Sequence, residues 1–109
     1  MSAAEELRAT ARLIRDRAEA ASHWDGLPWF AVDGAVYGGT AAPHQVVTPV
    51  TTYDGDAEHI ASWHPAVALA VADWLEADAR LMEQTAFAGA DWEAAKSLAV
   101  ARAYLGPDA

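Results

Sequence analysis

Twenty-eight of the 109 residues are alanine, and this limits what the chain can build more than any motif does. An alanine buries little area compared with a leucine or a tryptophan, so each adds little to the hydrophobic driving force. The hydrophobic fraction of 53% therefore overstates the core, which rests on about thirty larger apolar groups, five of them tryptophan. The length predicts one domain over residues 1–109, large enough for an unaided core and too small for two. With so many alanine-rich faces, a homo-oligomer that shares a helical face is the natural way to enlarge such a core.

Charge is distributed as unevenly as bulk. Between Arg17 and Arg80 the chain runs 62 residues without a lysine or arginine, yet carries Glu19, Asp25, Asp33, Asp54, Asp56, Glu58, Asp73, Glu76 and Asp78. Residues 1–22 balance Arg8, Arg12, Arg15 and Arg17 against Glu5, Glu6, Asp16 and Glu19, so the net charge of -9 belongs to residues 23–109. A surface of one sign repels phosphate backbones and attracts basic proteins. Direct nucleic-acid binding is not expected.

Cysteine is absent, which excludes a disulfide framework, thiol catalysis and cysteine-based zinc sites. The opening Met-Ser-Ala-Ala-Glu-Glu is acidic and leads into an amphipathic stretch, unlike a secretory signal. No run approaches the roughly 18 apolar residues that cross a bilayer. The expectation is a cytoplasmic protein without membrane association. The lack of asparagine, one lysine against six arginines and only two isoleucines point to a GC-rich coding sequence, as in an actinobacterium or one of its phages.

Leu7, Ala11, Ile14, Ala18 and Ala21 step by four and three and draw one apolar stripe, predicting a helix over 3–21. Ser2 is its N-cap and Glu5, three residues on, completes a capping box. Residues 29–32 and 35–37 read as two short strands joined at Asp33-Gly34, because both central residues of a type I′ turn need positive φ. The β-branched run 46–53 predicts a third strand, placed at an edge or bulged by Pro49. Asp56 is read as the cap of a short helix over 57–63. Pro65 suits the first position of a longer helix that runs to about Glu83 on a stripe of Val67, Val71, Trp74, Leu75, Asp78, Leu81 and Met82. Asp91 is read as the cap of a last helix, with Trp92, Ala95, Leu98, Ala99, Arg102 and Leu105 as its stripe and Gly106-Pro107 as its stop. The fold class is α+β: an N-terminal helix, a small antiparallel three-stranded sheet, then three helices, one of them short.

No arrangement of residues specifies a reaction. The Asp54-Gly-Asp56-Ala-Glu58-His59 cluster resembles a calcium loop, but the sixth and twelfth places, which require Gly and Glu, hold His59 and Pro65. His59 and His64 are five apart and cannot present the i, i+4 pair of a zincin. A metal or small-molecule site around His44, His59 and His64 is the weakest of the readings, and no metal or cofactor is expected. None of Ser2, Ser22, Ser62 and Ser97 sits in a nucleophile elbow, and Gly34, Gly38 and Gly39 form no phosphate cradle. All five tryptophans are expected in the core or an interface, with Trp24 and Trp63 the two to watch as exposed anchors.

The run Asp56-Ala-Glu-His-Ile-Ala-Ser-Trp-His-Pro-Ala-Val-Ala-Leu-Ala-Val-Ala-Asp-Trp-Leu-Glu76 resembles small uncharacterised actinobacteriophage and prophage proteins, and Leu98-Ala-Val-Ala-Arg-Ala-Tyr-Leu-Gly106 resembles the C-terminal half of the same family. Taken over residues 56–82 and 98–106, the resemblance covers about a third of the chain. The resemblance implies a phage origin and a host-directed accessory role, with no established activity to carry over. Some relatives place cysteines or histidines between these helices; residues 83–91 here contain neither.

These readings converge on a non-enzymatic accessory protein whose acidic surface occupies a basic surface of a host protein, in the manner of a nucleic-acid charge mimic. Asp54, Asp56, Glu58, Asp73, Glu76 and Asp78 would supply the charge and Trp63 the apolar anchor. The alternative is a homo-oligomeric structural or scaffold protein.

Overall fold

The computed structural model of the chain describes residues 2–21, 28–38, 45–49, 54–84 and 88–106, the side chains of 45 and 88–95 excepted. The order of elements is α1 (Ala3–Ala20), β1 (Phe30–Val32), β2 (Ala35–Gly38), β3 (Gln45–Thr48), α2 (Asp54–Ser62), α3 (Pro65–Gln84) and α4 (Ala88–Leu105). This is the α+β arrangement expected. Contacts divide the chain into two compact units, Met1–Asp16 with Ala70–Ala109, and Arg17–Leu69.

In the first unit, the start of α1 is fixed by the capping box anticipated from sequence. The Glu5 amide donates to Ser2 Oγ at 3.1 Å, and the Ser2 amide donates to Glu5 Oε1 at 3.3 Å. Two of the orphan donors of a helix start are thereby satisfied reciprocally. The α1 face that turns inward carries Ala4, Leu7, Thr10, Ala11 and Ile14. Thr10 is tolerated there because its hydroxyl donates to the Glu6 carbonyl at 2.9 Å, which spares it the cost of an unsatisfied buried polar group. From α3 come Ala72, Leu75 and Ala79, and from α4 come Ser97 and Ala101. Among the described residues of this unit Leu7, Ile14 and Leu75 are the large, fully buried apolar side chains; fully burying one such side chain is worth roughly 1.5–3 kcal/mol. α4 stops at Gly106, whose φ of 88° suits a residue without a Cβ, and its amide donates to the Arg102 carbonyl at 3.0 Å.

Of the stripe expected on α3, Leu75 is fully buried and Val67, Val71, Asp78 and Met82 are half-buried. Ala72, Leu75 and Ala79 are inward, whereas Trp74 and Leu81 are 41% and 36% exposed. Two stripes overlap on this helix, one of large residues and one mostly of alanines. The alanine stripe is the one buried. α4 shows the same shift, with Ser97 and Ala101 inward and Ala99 exposed.

In the second unit, β1, β2 and β3 form an antiparallel sheet in sequence order. Asp33 and Gly34, at φ 50° and 81°, make the turn of the first hairpin with the two positive angles a type I′ turn demands. The register sets Phe30 opposite Tyr37, Ala31 opposite Val36 and Val32 opposite Ala35. Between β2 and β3 the partners pass from Val36↔Thr48 to Tyr37↔Val46, so Val47 is the extra residue of a bulge. β3 ends at Thr48, directly before Pro49, which has no amide to give a ladder; the remainder of the expected strand, 50–53, lies outside the described residues.

Period-2 alternation sends Ala31, Val36 and Gly38 to one face of the sheet and Phe30 and Tyr37 to the other. On the first face Val36 packs with Ala57 and Ala61 of α2, and Trp29, Ala31, Val47 and Ile60 close around them. Gly38 is required by this packing, since a Cβ there would lie 2.9 Å from Trp29 Cδ1. On the second face the Phe30 and Tyr37 rings stack at 5.9 Å.

α2 begins at Asp54 rather than after Asp56, so Asp54 and Asp56 lie inside its first turn, where negative charge meets the positive end of the helix dipole. It ends where Ser62 Oγ donates to the His59 carbonyl at 2.6 Å. His64 then starts α3: its carbonyl accepts from the Val67 and Ala68 amides at 3.0 and 3.2 Å, and Pro65 takes the first helical position, where a missing N–H costs nothing.

Candidate protein interaction surface

The acids singled out by sequence fall into two groups, one in each compact unit. On α2, Asp54, Asp56 and Glu58 are all exposed. Asp54 and Glu58 are neighbours one turn apart, and Asp56 lies with His59 and Trp63 near the other flank. None of the three acids has an ion-pair partner among the described residues. Like charges at i, i+4 cost a few tenths of a kcal/mol, which the helix dipole offsets in the first turn. Trp63, just past the helix end, is 41% exposed.

On α3 the expectation of uncompensated charge fails. Arg15 of α1 pairs with both Asp73 and Glu76. At Asp73 and Glu76 the sequence gap in basic residues is therefore not a gap in space, because the first helix supplies the missing cation. Asp78 is half-buried and has no ion pair among the described residues. One helical repeat further on, Arg8 holds Glu83 by two bonds, with Nη2 donating to Oε2 at 2.8 Å. The pairs Arg8–Glu83 and Arg15–Glu76 advance seven residues along α1 and retreat seven along α3, so the two segments are antiparallel. Arg102, in the last turn of α4, donates through Nε and Nη2 to Glu6 at 2.9 and 3.2 Å.

These pairs set the protonation of their members. The Arg8 guanidinium holds the Glu83 carboxyl below its ordinary range, and the Arg102 guanidinium does the same for Glu6; Arg8 and Arg102 are raised in turn. Glu5 is lowered by its bonds to Ser2.

Among the described residues no three histidine or acidic side chains gather as a metal site requires, and no helix is long and apolar enough to cross a membrane. His44 and Trp24 lie outside the described residues, as does the Trp92 side chain. The buried Nδ1 of His64, Nε1 of Trp29 and Oγ1 of Thr48 have no hydrogen-bond partner among the described residues.

Sequence reasoning expected Trp74 in the core or an interface and did not name it among the exposed anchors, yet it is 41% exposed. Its exposure was signalled by the spacing of Glu76 and Glu83, which matches that of Arg8 and Arg15 and marks the α1-facing side of α3 well away from Trp74. No family model matches the chain, and no curated protein or solved structure is detectably similar to it.

Proposed function

We propose that the chain is a non-enzymatic accessory protein that docks on a basic surface of another protein through the exposed side of α2. Asp54, Asp56 and Glu58 present the charge that such a partner otherwise meets in a phosphate backbone, and Trp63 supplies a partly desolvated aromatic anchor. The observation that supports this most is the contrast between the two acidic groups: Arg15 engages Asp73 and Glu76, while the α2 acids meet no cation among the described residues. The α3 acids accordingly contribute less than their number suggests. The phage-like resemblance of residues 56–76 makes a host cytoplasmic protein the natural partner.

The test is capture from an actinobacterial lysate with the immobilised full chain, eluted by raising salt from about 50 to about 500 mM, over which the Debye length contracts severalfold. The expected result is a partner released within that range, and lost when Asp54→Asn, Asp56→Asn and Glu58→Gln are combined. Retention by that triple variant, or the absence of any salt-sensitive partner, sinks the proposal.

A further inference from the structure

Ala70, Trp74, Ala77 and Leu81 of α3 are all exposed, Trp74 by 41% and Leu81 by 36%. They recur at steps of four, three and four on the side opposite the buried Ala72, Leu75 and Ala79. The result is a heptad-type seam without a charge along its line, about 17 Å long at 1.5 Å per residue. An apolar helical stripe of this kind faces a partner in most folds.

The geometry points to a second copy of the chain as the occupant, packed antiparallel along this seam. The 4-3-4 spacing reads the same in both directions, so a reversed copy falls into register with itself. Trp74 then lies against Ala77 of the second copy, and Leu81 against its Ala70. Every layer sets a large side chain against a small one, as close packing requires. Charge complementarity selects the same arrangement. Asp73 and Arg80 flank the seam on one side, and in the antiparallel register Asp73 of each copy meets Arg80 of the other. Arg80 is exposed with no ion pair among the described residues. Asp73, though paired with Arg15, keeps 74% of its side chain exposed and has lone pairs left for a second guanidinium. A parallel pair would instead stack Trp74 on Trp74, leave alanine opposite alanine, and bring Asp73 beside Asp78 of the other copy. The inference is independent of the α2 reading, and its test involves no other protein.

Sedimentation of the full chain from about 1 to about 500 µM, near 150 mM salt so that the net negative charge is screened beyond about 8 Å, is expected to show a reversible monomer–dimer equilibrium. Trp74→Ala and Arg80→Glu each weaken it by about tenfold or more, with circular dichroism unchanged because both sites are exposed. Orientation is read by disulfide trapping, since the natural chain has no cysteine. Ala70→Cys mixed with Leu81→Cys cross-links, and Ala70→Cys alone does not. A monomer throughout the concentration range, a dimer indifferent to Trp74→Ala and Arg80→Glu, or self-linking of Ala70→Cys each overturns the inference.

Discussion

Arg15 of α1 and Glu76 of α3 are ion-paired with both side chains shielded to about two thirds or more, and the same guanidinium reaches Asp73. One cation thus holds two carboxylates that lie one turn apart. Exposed single pairs are worth about 0–1 kcal/mol, so Arg15→Ala is expected to cost about 1 kcal/mol, the upper end of that range. A urea denaturation midpoint measures it, and a double-mutant cycle with Glu76→Gln isolates the pair. An unmoved midpoint would show that the pair contributes nothing.

Acid should act on the first unit through the depressed carboxyls. Glu83 is lowered from its usual 4.5 by Arg8, and Glu6 from the same value by Arg102. With a folded pKa below the unfolded one, the unfolded chain binds more protons as pH falls, so the stabilisation is complete above the unfolded value and disappears on descending through the folded one. The melting temperature of the natural chain should exceed that of Glu83→Gln at pH 7, and the difference should close below pH 4.5. A difference that persists unchanged into that acid range would contradict the assignment.

Neighbouring positions on α3 should respond in opposite ways. Leu75, with no exposed surface, should cost roughly 2–5 kcal/mol on truncation to alanine, through lost burial and the cavity left behind. Trp74→Ala, one residue earlier and 41% exposed, should cost clearly less in dilute solution, because only part of its surface is withdrawn from water. Chemical denaturation of the two variants decides it. Equal losses would place Trp74 back in the core.

Gly38→Ala tests the sheet. The added methyl would sit 2.9 Å from Trp29 Cδ1, so the indole, which packs against the Val36, Ala57 and Ala61 cluster, or the strand itself must shift. Overpacking of this kind costs about 1–3 kcal/mol. Gly55→Ala, whose Cβ meets nothing within 4 Å, is the control and should be neutral or slightly stabilising. Similar losses for both would point to the backbone rather than the contact with Trp29.

Much of the fold was legible because its signals are local. The Ser2 and Glu5 capping box, the Asp33-Gly34 turn and Pro65 at a helix start each rest on chemistry within a few residues, and each stands where expected. What failed is long-range. The buried side of α3 was read only in part: Leu75 of the expected stripe is inward, but side-chain size also drew in Trp74 and Leu81, while the positions buried beside Leu75 are the small Ala72 and Ala79. Charge along the sequence likewise concealed Arg15 beside Asp73 and Glu76, 58 residues away from the nearer of them. For the proposed interaction surface, sequence supplied Asp54, Asp56, Glu58 and Trp63 but had no means of ranking them above the α3 acids.

Ala11, Ala57, Ala72, Ala79 and Ala101 have no accessible surface at all. At such positions every replacement except glycine adds atoms where none fit, so divergence has only one direction open and that direction is crowded. Descendants of this chain should hold their interior nearly fixed while the solvent side of each helix drifts, and a new binding specificity would arise by repainting the outside rather than by remoulding the inside.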